Sequence, residues 1–190
     1  MTGEKIDYNK RGCVHIYYGE NKGKTTCAIG LAIRAVGFNR RVAFVQFDKG
    51  YEGDEHYHER KIIRDIDKIT FLPTGKERML PDGSFRFDNT EADKQEARKG
   101  LAYVENAVRD GRYFLVIADE ILTTLEAGLL EEKDILKLLD IYEKKPVSEL
   151  VLTGRMITDA IAEHAQLITE MRKVKHYFDL GRKAKEGIEF

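Results

Sequence analysis

The β-branched and aromatic run Val14-His15-Ile16-Tyr17-Tyr18 passes directly into Gly19-Glu20-Asn21-Lys22-Gly23-Lys24-Thr25-Thr26, and a helix-compatible stretch follows at once. Strand, glycine-rich turn and helix in that order form the setting of a phosphate-binding loop. Few local features restrict a fold as much, because the strand must deliver its carboxyl end to a helix N-terminus. There the exposed N–H groups and the positive end of the helix dipole both favour an anion. The glycines let backbone N–H groups turn inward around phosphate oxygens, Lys24 adds a point charge, and Thr25 offers a hydroxyl to a magnesium ion. The usual pattern has four residues between the first glycine and Gly-Lys. Gly19 and Gly23 enclose three, which predicts a tighter loop. A glycine-rich turn ahead of a helix needs no ligand by itself; the added Gly-Lys-Thr-Thr after a strand is what points to a nucleotide.

The remainder of the chain repeats the strand–helix order. Ile29, Ala32, Ile33 and Val36 recur at helical spacing up to Gly37, and Val42 to Phe47 is a nearly continuous apolar run of the kind buried on both faces of a parallel sheet. Glu52 to Asp67 is charged and helix-compatible, and Ile69 to Leu72 is a weaker strand. Pro73 to Asn89 carries Gly75, Pro81, Asp82 and Gly83 without periodicity and reads as a long loop, a second candidate site. Thr90 with Asp93 opens a helix running to Arg109, and Tyr113 to Ala118 is a fourth strand. Helix at Leu130 to Tyr142, strand at Glu149 to Thr153, helix at Ile157 to His164 and the short run Leu167-Ile168 complete the order. This predicts an α/β fold: a mostly parallel β-sheet flanked by helices on both faces, with ligands beyond the carboxyl ends of the strands.

Composition narrows the function. The 190 residues include only three prolines and show no shift that would mark a linker, so one domain over 1–190 is expected. A net charge of −1 supplies no general field for nucleic acid or an anionic membrane. No apolar run approaches the ~20 residues of a membrane span, and the polar start Met1 to Asp7 does not read as a secretory signal. A cytoplasmic protein is expected. Cys13 and Cys27 lack the count and spacing of a metal site or disulfide framework, and His56 with His58 are not spaced as a helical zinc pair. The basic tail Arg172 to Lys185 reads as a solvated end rather than a nucleic-acid surface.

Several polar residues stand just past expected strands. Asp119 and Glu120 follow the fourth strand, where a phosphate-loop protein keeps the acidic partner of its magnesium, so Thr25, Asp119 and Glu120 form a candidate metal set. Taken alone, both acids can also simply begin the next helix. Gln46, Phe47, Lys49 and Gly50 leave the second strand toward the same edge, either as a ligand-facing turn or as ordinary strand termination. Arg155 offers a rigid fork to anionic oxygens or solvates a helix start, and Arg34, farther along the first helix, is a long-reach contact or a surface charge.

Taken together, the loop Gly19 to Thr26, Val45 to Gly50, Asp119-Glu120, Leu152 to Arg155, and the ending Val174 to Gly181 with Ala184 and Gly187-Ile188 resemble the ATP:corrinoid adenosyltransferases of the P-loop NTPase-like class. The likeness runs from about Gly12 to the C-terminus. It implies transfer of the 5′-deoxyadenosyl group of ATP to the Co(I) of cobalamin or its precursor, with triphosphate leaving. It also implies nucleotide contacts at Glu20, Asn21, Lys22, Gly23, Lys24, Thr25, Thr26 and Arg34, and a magnesium carboxylate at Glu120 beside Asp119. ATP then lies reversed relative to ordinary phosphate-loop enzymes, in keeping with the short loop. Phe85 and Phe87, ahead of Asn89-Thr90-Glu91-Ala92-Asp93, fall where relatives place aromatic residues that displace the lower cobalt ligand. A homodimer and a reductase such as a flavoprotein are further implications. Where that family reads G-N-G-K-G-K-T-T, this chain has Glu20 and Asn21 for the asparagine and second glycine. Two rival readings use the same loop: a kinase or ATPase acting at the γ-phosphate, and a non-catalytic ATP and corrinoid carrier.

Overall fold

The computed structural model describes residues 7–50, 56–78, 86 and 88–190. Six strands, β1 (Val14–Tyr18), β2 (Val42–Gln46), β3 (Ile69–Pro73), β4 (Leu115–Asp119), β5 (Glu149–Gly154) and β6 (Leu167–Glu170), form one sheet in the order β3-β2-β4-β5-β1-β6. Every neighbouring pair is parallel, so the expected mostly parallel sheet is parallel throughout the described residues. Register follows burial: Phe44 faces Ile117 and Phe71, while Val45 faces Ala118 and Leu72.

Alternation along the strands feeds two cores. Ala43, Val45, Val116, Ala118, Leu150 and Leu152 pack on one face under α3 (Glu91–Asp110) and α5 (Glu132–Lys144). On the other, Val42, Phe44, Leu115, Ile117 and Val151 pack under α1 (Lys24–Gly37) and α2 (Glu59–Arg64). Two short helices, α4 (Thr123–Glu126) and α6 (Asp159–Ala162), complete the described helical elements apart from a 3-10 turn at Tyr177–Leu180. Burying both faces of β2 and β4 explains why their sequences are apolar without alternation.

The elements depart from expectation at particular points. In α1 the buried stripe is Ala28, Ala32 and Ala35, whereas Ile33 is 47% exposed; small side chains let the helix lie close to the sheet. The helix expected across Glu52 to Asp67 is confined to α2, with 51–55 outside the described residues. Pro73 closes β3 rather than opening the loop. The expected helix at Ile157 to His164 contracts to four residues, capped by Thr158. Asp119 and Glu120 do not begin a helix: Asp119 ends β4, Glu120 turns left-handed at φ 63°, and α4 starts only at Thr123.

Candidate active site

All strands point the same way, so the turns after β1, β2, β4 and β5 meet at one edge. Gly19 carries φ 119° and Gly23 φ 125°, conformations that side-chain-bearing residues rarely adopt. A Cβ on Gly19 would also stand 2.7 Å from the Met171 carbonyl oxygen. Gly23 caps α1 without a side-chain hydrogen bond and no acid occupies the first turn, so the first N–H groups keep their positive character. Lys24 Nζ donates to the carbonyls of Gly19 (2.6 Å) and Asn21 (3.0 Å), lying back inside its own loop. Burial lowers its pKa, assisted by Arg155 and Lys49 and opposed by Glu120 and Asp119. Phosphate oxygens in place of the two carbonyls would offset that penalty with opposite charge.

The acidic partner of Thr25 is Asp119. Thr25 Oγ1 donates to Asp119 Oδ2 at 3.1 Å, while the other carboxylate oxygen receives the Thr153 hydroxyl at 2.8 Å. Thr153 in turn accepts the Glu120 N–H at 2.8 Å, so β5 orients both acids. Glu120 points elsewhere and receives the Thr123 hydroxyl. Lys49 Nζ lies 3.1 Å from both Thr25 Oγ1 and Asp119 Oδ2. Burial opposes its charge, but Asp119, Glu120 and Tyr57 outweigh that, and its pKa rises above the ordinary lysine value. A hydroxyl and a fully buried carboxylate that converge on a cation form a donor set suited to Mg²⁺, with Lys49 standing in for the ion.

Among the described residues, two adjoining cavities at this edge are lined by the loop and the residues after β2 and β4. The first, about 410 Å³, is lined by Asn21 to Thr26, Lys49, Tyr57 to Glu59, Glu120 and the terminal residues Gly187 to Phe190. The second, about 560 Å³, lies beside it, between Glu20, Asp48, Arg78, Arg86, Glu126 and Arg155. Asn21, Lys22, Lys24, Lys49, Tyr57 and Glu120 line both.

The expected site residues separate into groups. Asn21, Lys22, Gly23, Lys24, Thr25, Thr26, Lys49 and Glu120 gather on the first cavity; Glu20 is exposed at the second with Arg155. Gly19 shapes the loop, and Asp119 reaches the first cavity through Thr25. Gln46 is not a ligand-facing residue: it is fully buried, donating to Glu59 at 3.2 Å and accepting from Arg60 Nε at 3.0 Å. Arg34 is exposed on α1 and lines neither cavity. Phe85 and Phe87 lie outside the described residues.

Other wall contacts leave little trace in the local sequence pattern. Arg78 bonds Asp48 Oδ1 at 2.9 Å, Asp88 O at 3.2 Å and Asn89 Oδ1 at 3.1 Å. Lys22 bonds the Ile188 carbonyl and reaches Glu189 Oε1 at 3.2 Å, bringing the chain end onto the loop. Local periodicity carries no signal for a contact between residues 22 and 189. For Arg78, its position in the aperiodic stretch was the available hint.

Comparison with known proteins agrees with this geometry. Residues 10–190 match the family described as ATP:corrinoid adenosyltransferase BtuR/CobO/CobP. The corrinoid adenosyltransferase of Escherichia coli K12 is 31% identical over 98% of this chain and 93% of its own length. That of Pseudomonas aeruginosa is 30% identical over 100% and 90%. Corrinoid adenosyltransferase CobA of Salmonella typhimurium is 30% identical over 95% and 87%. Among the described residues no helix is long and apolar enough to cross a membrane. The chain belongs to the ATP:corrinoid adenosyltransferase family.

Proposed function

We propose that this chain moves the 5′-deoxyadenosyl group of ATP onto the Co(I) of cobalamin or of cobyrinic acid a,c-diamide, releasing triphosphate. The observation that carries the reading is the pair of adjoining cavities sharing the wall of Asn21, Lys22, Lys24, Lys49, Tyr57 and Glu120. A reaction between two bound molecules requires such a shared wall, whereas γ-phosphate hydrolysis requires only the first cavity; against a kinase, which also joins two bound molecules, the family match supports adenosyl transfer.

In this reading the loop N–H groups, Lys22, Lys24 and Thr26 hold the triphosphate, with Lys24 leaving the Gly19 and Asn21 carbonyls for phosphate oxygens. Glu20, exposed on the second cavity, stays clear of the phosphates. Thr25 and Asp119 hold Mg²⁺, and Glu120 stands beside them. When bound, Mg²⁺ adds positive charge against the departing triphosphate. Co(I) is a strong nucleophile whose electron pair attacks the 5′-carbon as the C–O bond to triphosphate breaks, so no general base is required. The protein's task is alignment, which contributes up to roughly 7–11 kcal/mol in ideal intramolecular systems.

Because the transfer consumes that electron pair, Co(I) has to be supplied by an electron donor such as a flavoprotein. We assign Arg155 to the corrinoid side of the shared wall, and Phe85 or Phe87 to the lower face of the cobalt. The same reading takes 1–190 as one domain and the protein as a cytoplasmic homodimer; Leu167 and Ile168, exposed on edge strand β6, are an apolar edge that pairing would cover. The test is incubation with ATP, Mg²⁺ and chemically reduced cobalamin or cobyrinic acid a,c-diamide. Alkylated corrinoid with stoichiometric triphosphate supports the proposal. ADP and phosphate indicate a kinase or ATPase, and binding of both ligands without consumption of ATP indicates a carrier.

A further inference from the structure

Lys49 occupies an unusual position for a residue expected to meet substrate. Its ammonium donates to Thr25 Oγ1 and Asp119 Oδ2, both at 3.1 Å, the two oxygens assigned above to Mg²⁺. The Asp119 carboxylate is fully buried, and the Lys49 side chain is only 14% exposed. A carboxylate in such surroundings is costly without a cation, and a cation that also satisfies the adjacent hydroxyl is a close substitute for a metal ion.

The backbone around Lys49 is fixed while its side chain has somewhere to go. Lys49 N–H bonds the Thr74 carbonyl at 3.1 Å, and its own carbonyl accepts from Arg60. The ammonium lies 5.2 Å from the centroid of the Tyr57 ring, and both residues line both cavities. A rotation of the side chain alone, away from Asp119, would keep the ammonium in the shared wall beside Tyr57, whose ring also meets the Arg60 guanidinium at 4.7 Å.

We propose that Lys49 is an exchangeable internal cation: it neutralises Asp119 in the metal-free enzyme, and a divalent ion arriving at Thr25 and Asp119 expels it into the wall between the cavities. This rests on the reading of Thr25 and Asp119 as metal ligands. Its consequence is ordered loading. Metal binds weakly to the empty protein because it must displace a charge already in place, and binds well when polyphosphate oxygens give both Mg²⁺ and the displaced ammonium new partners. An idle enzyme is thereby kept from holding a metal ion without its nucleotide.

Mn²⁺ binding without nucleotide, measured by electron paramagnetic resonance, tests the exchange in wild type, Lys49→Met, Asp119→Asn, Thr25→Ala and, as a lysine far from the site, Lys137→Met. Lys49→Met should bind Mn²⁺ at least about tenfold more tightly than wild type, Lys137→Met like wild type, and Asp119→Asn not detectably. In the unaltered protein, acetylation followed by mass spectrometry should show Lys49 protected without metal and several-fold more reactive in Mg²⁺, with Lys137 unchanged. Equal Mn²⁺ affinity in Lys49→Met and wild type, with binding still lost in Asp119→Asn, overturns the exchange and leaves the metal assignment standing. Wild-type affinity in Asp119→Asn and Thr25→Ala removes the metal assignment, and the exchange with it. Should Lys49→Met fail to fold, the acetylation result decides: Lys49 reactivity indifferent to Mg²⁺ overturns the proposal.

Discussion

Lys24 is held by two carbonyls of its own loop, bonds that the proposed triphosphate contact would have it surrender. Lys24→Ala should therefore leave folding nearly unchanged while lowering single-turnover adenosyl transfer to pre-reduced corrinoid about 10²–10³-fold, the usual cost of losing one preorganised charge donor. Transfer at the wild-type rate would contradict its role. Thr153 is a different case: its fully buried hydroxyl donates to Asp119 and accepts from the Glu120 N–H. Thr153→Val strands both partners, and denaturant melts should show a loss of about 1–3 kcal/mol, together with weaker metal-dependent activity. Lys24 and Thr25 could be read directly from the loop motif. The role of Thr153 could not, because its partners lie 34 and 33 positions away and only the β4–β5 pairing brings them together. The same pairing places Asp119, rather than its neighbour Glu120, against Thr25.

Helix α3 links the core to the site. Its start is a capping box in which Thr90 and Asp93 bond each other's backbone N–H groups, and Asp93 also takes two bonds from Arg86, at 2.7 and 2.9 Å. The cap was legible in the sequence, but the Arg86 pairing was not, because it bridges from an aperiodic segment. Arg86 holds the Asp93 carboxyl well below the usual range, with Thr90 adding to the effect. The stabilisation is therefore complete above an unfolded value of about 4 and disappears as pH falls through the depressed folded value. Asp93→Asn should cost about 1–2 kcal/mol at neutral pH, and the gap from wild type in urea melts should close as the pH is lowered below about 4. A gap that persists unchanged in acid would contradict this.

Gly100 tests how closely the same helix is packed. A Cβ there would lie 2.8 Å from Phe47 Cε1 and 3.1 Å from Thr74 Oγ1, and both residues are buried. Gly100→Ala gains up to about 1 kcal/mol of helix propensity but forces an overpacked contact costing about 1–3 kcal/mol. Thermal melts should show net destabilisation, and a stabilised variant would mean that α3 can lift from the end of β2.

A sheet that is parallel throughout the described residues brings the turns after four strands to one edge, and residues 188 and 189 come back onto the same edge through Lys22. Apolar runs and helix periods predict the layered fold well because burial on both faces leaves a strong local signature. They carry little about the cavity walls, since contacts such as Lys22 with Glu189 join residues far apart in sequence. In the proposed function this edge grips the polyphosphate and turns the ribose 5′-carbon toward the second cavity. A crystal structure with Mg²⁺ and ATP bound tests it most directly. Triphosphate is expected over Gly23, Lys24 and Thr25, with the 5′-carbon facing the wall shared with the second cavity; a γ-phosphate presented to that wall, with the ribose buried away from it, would overturn the proposal.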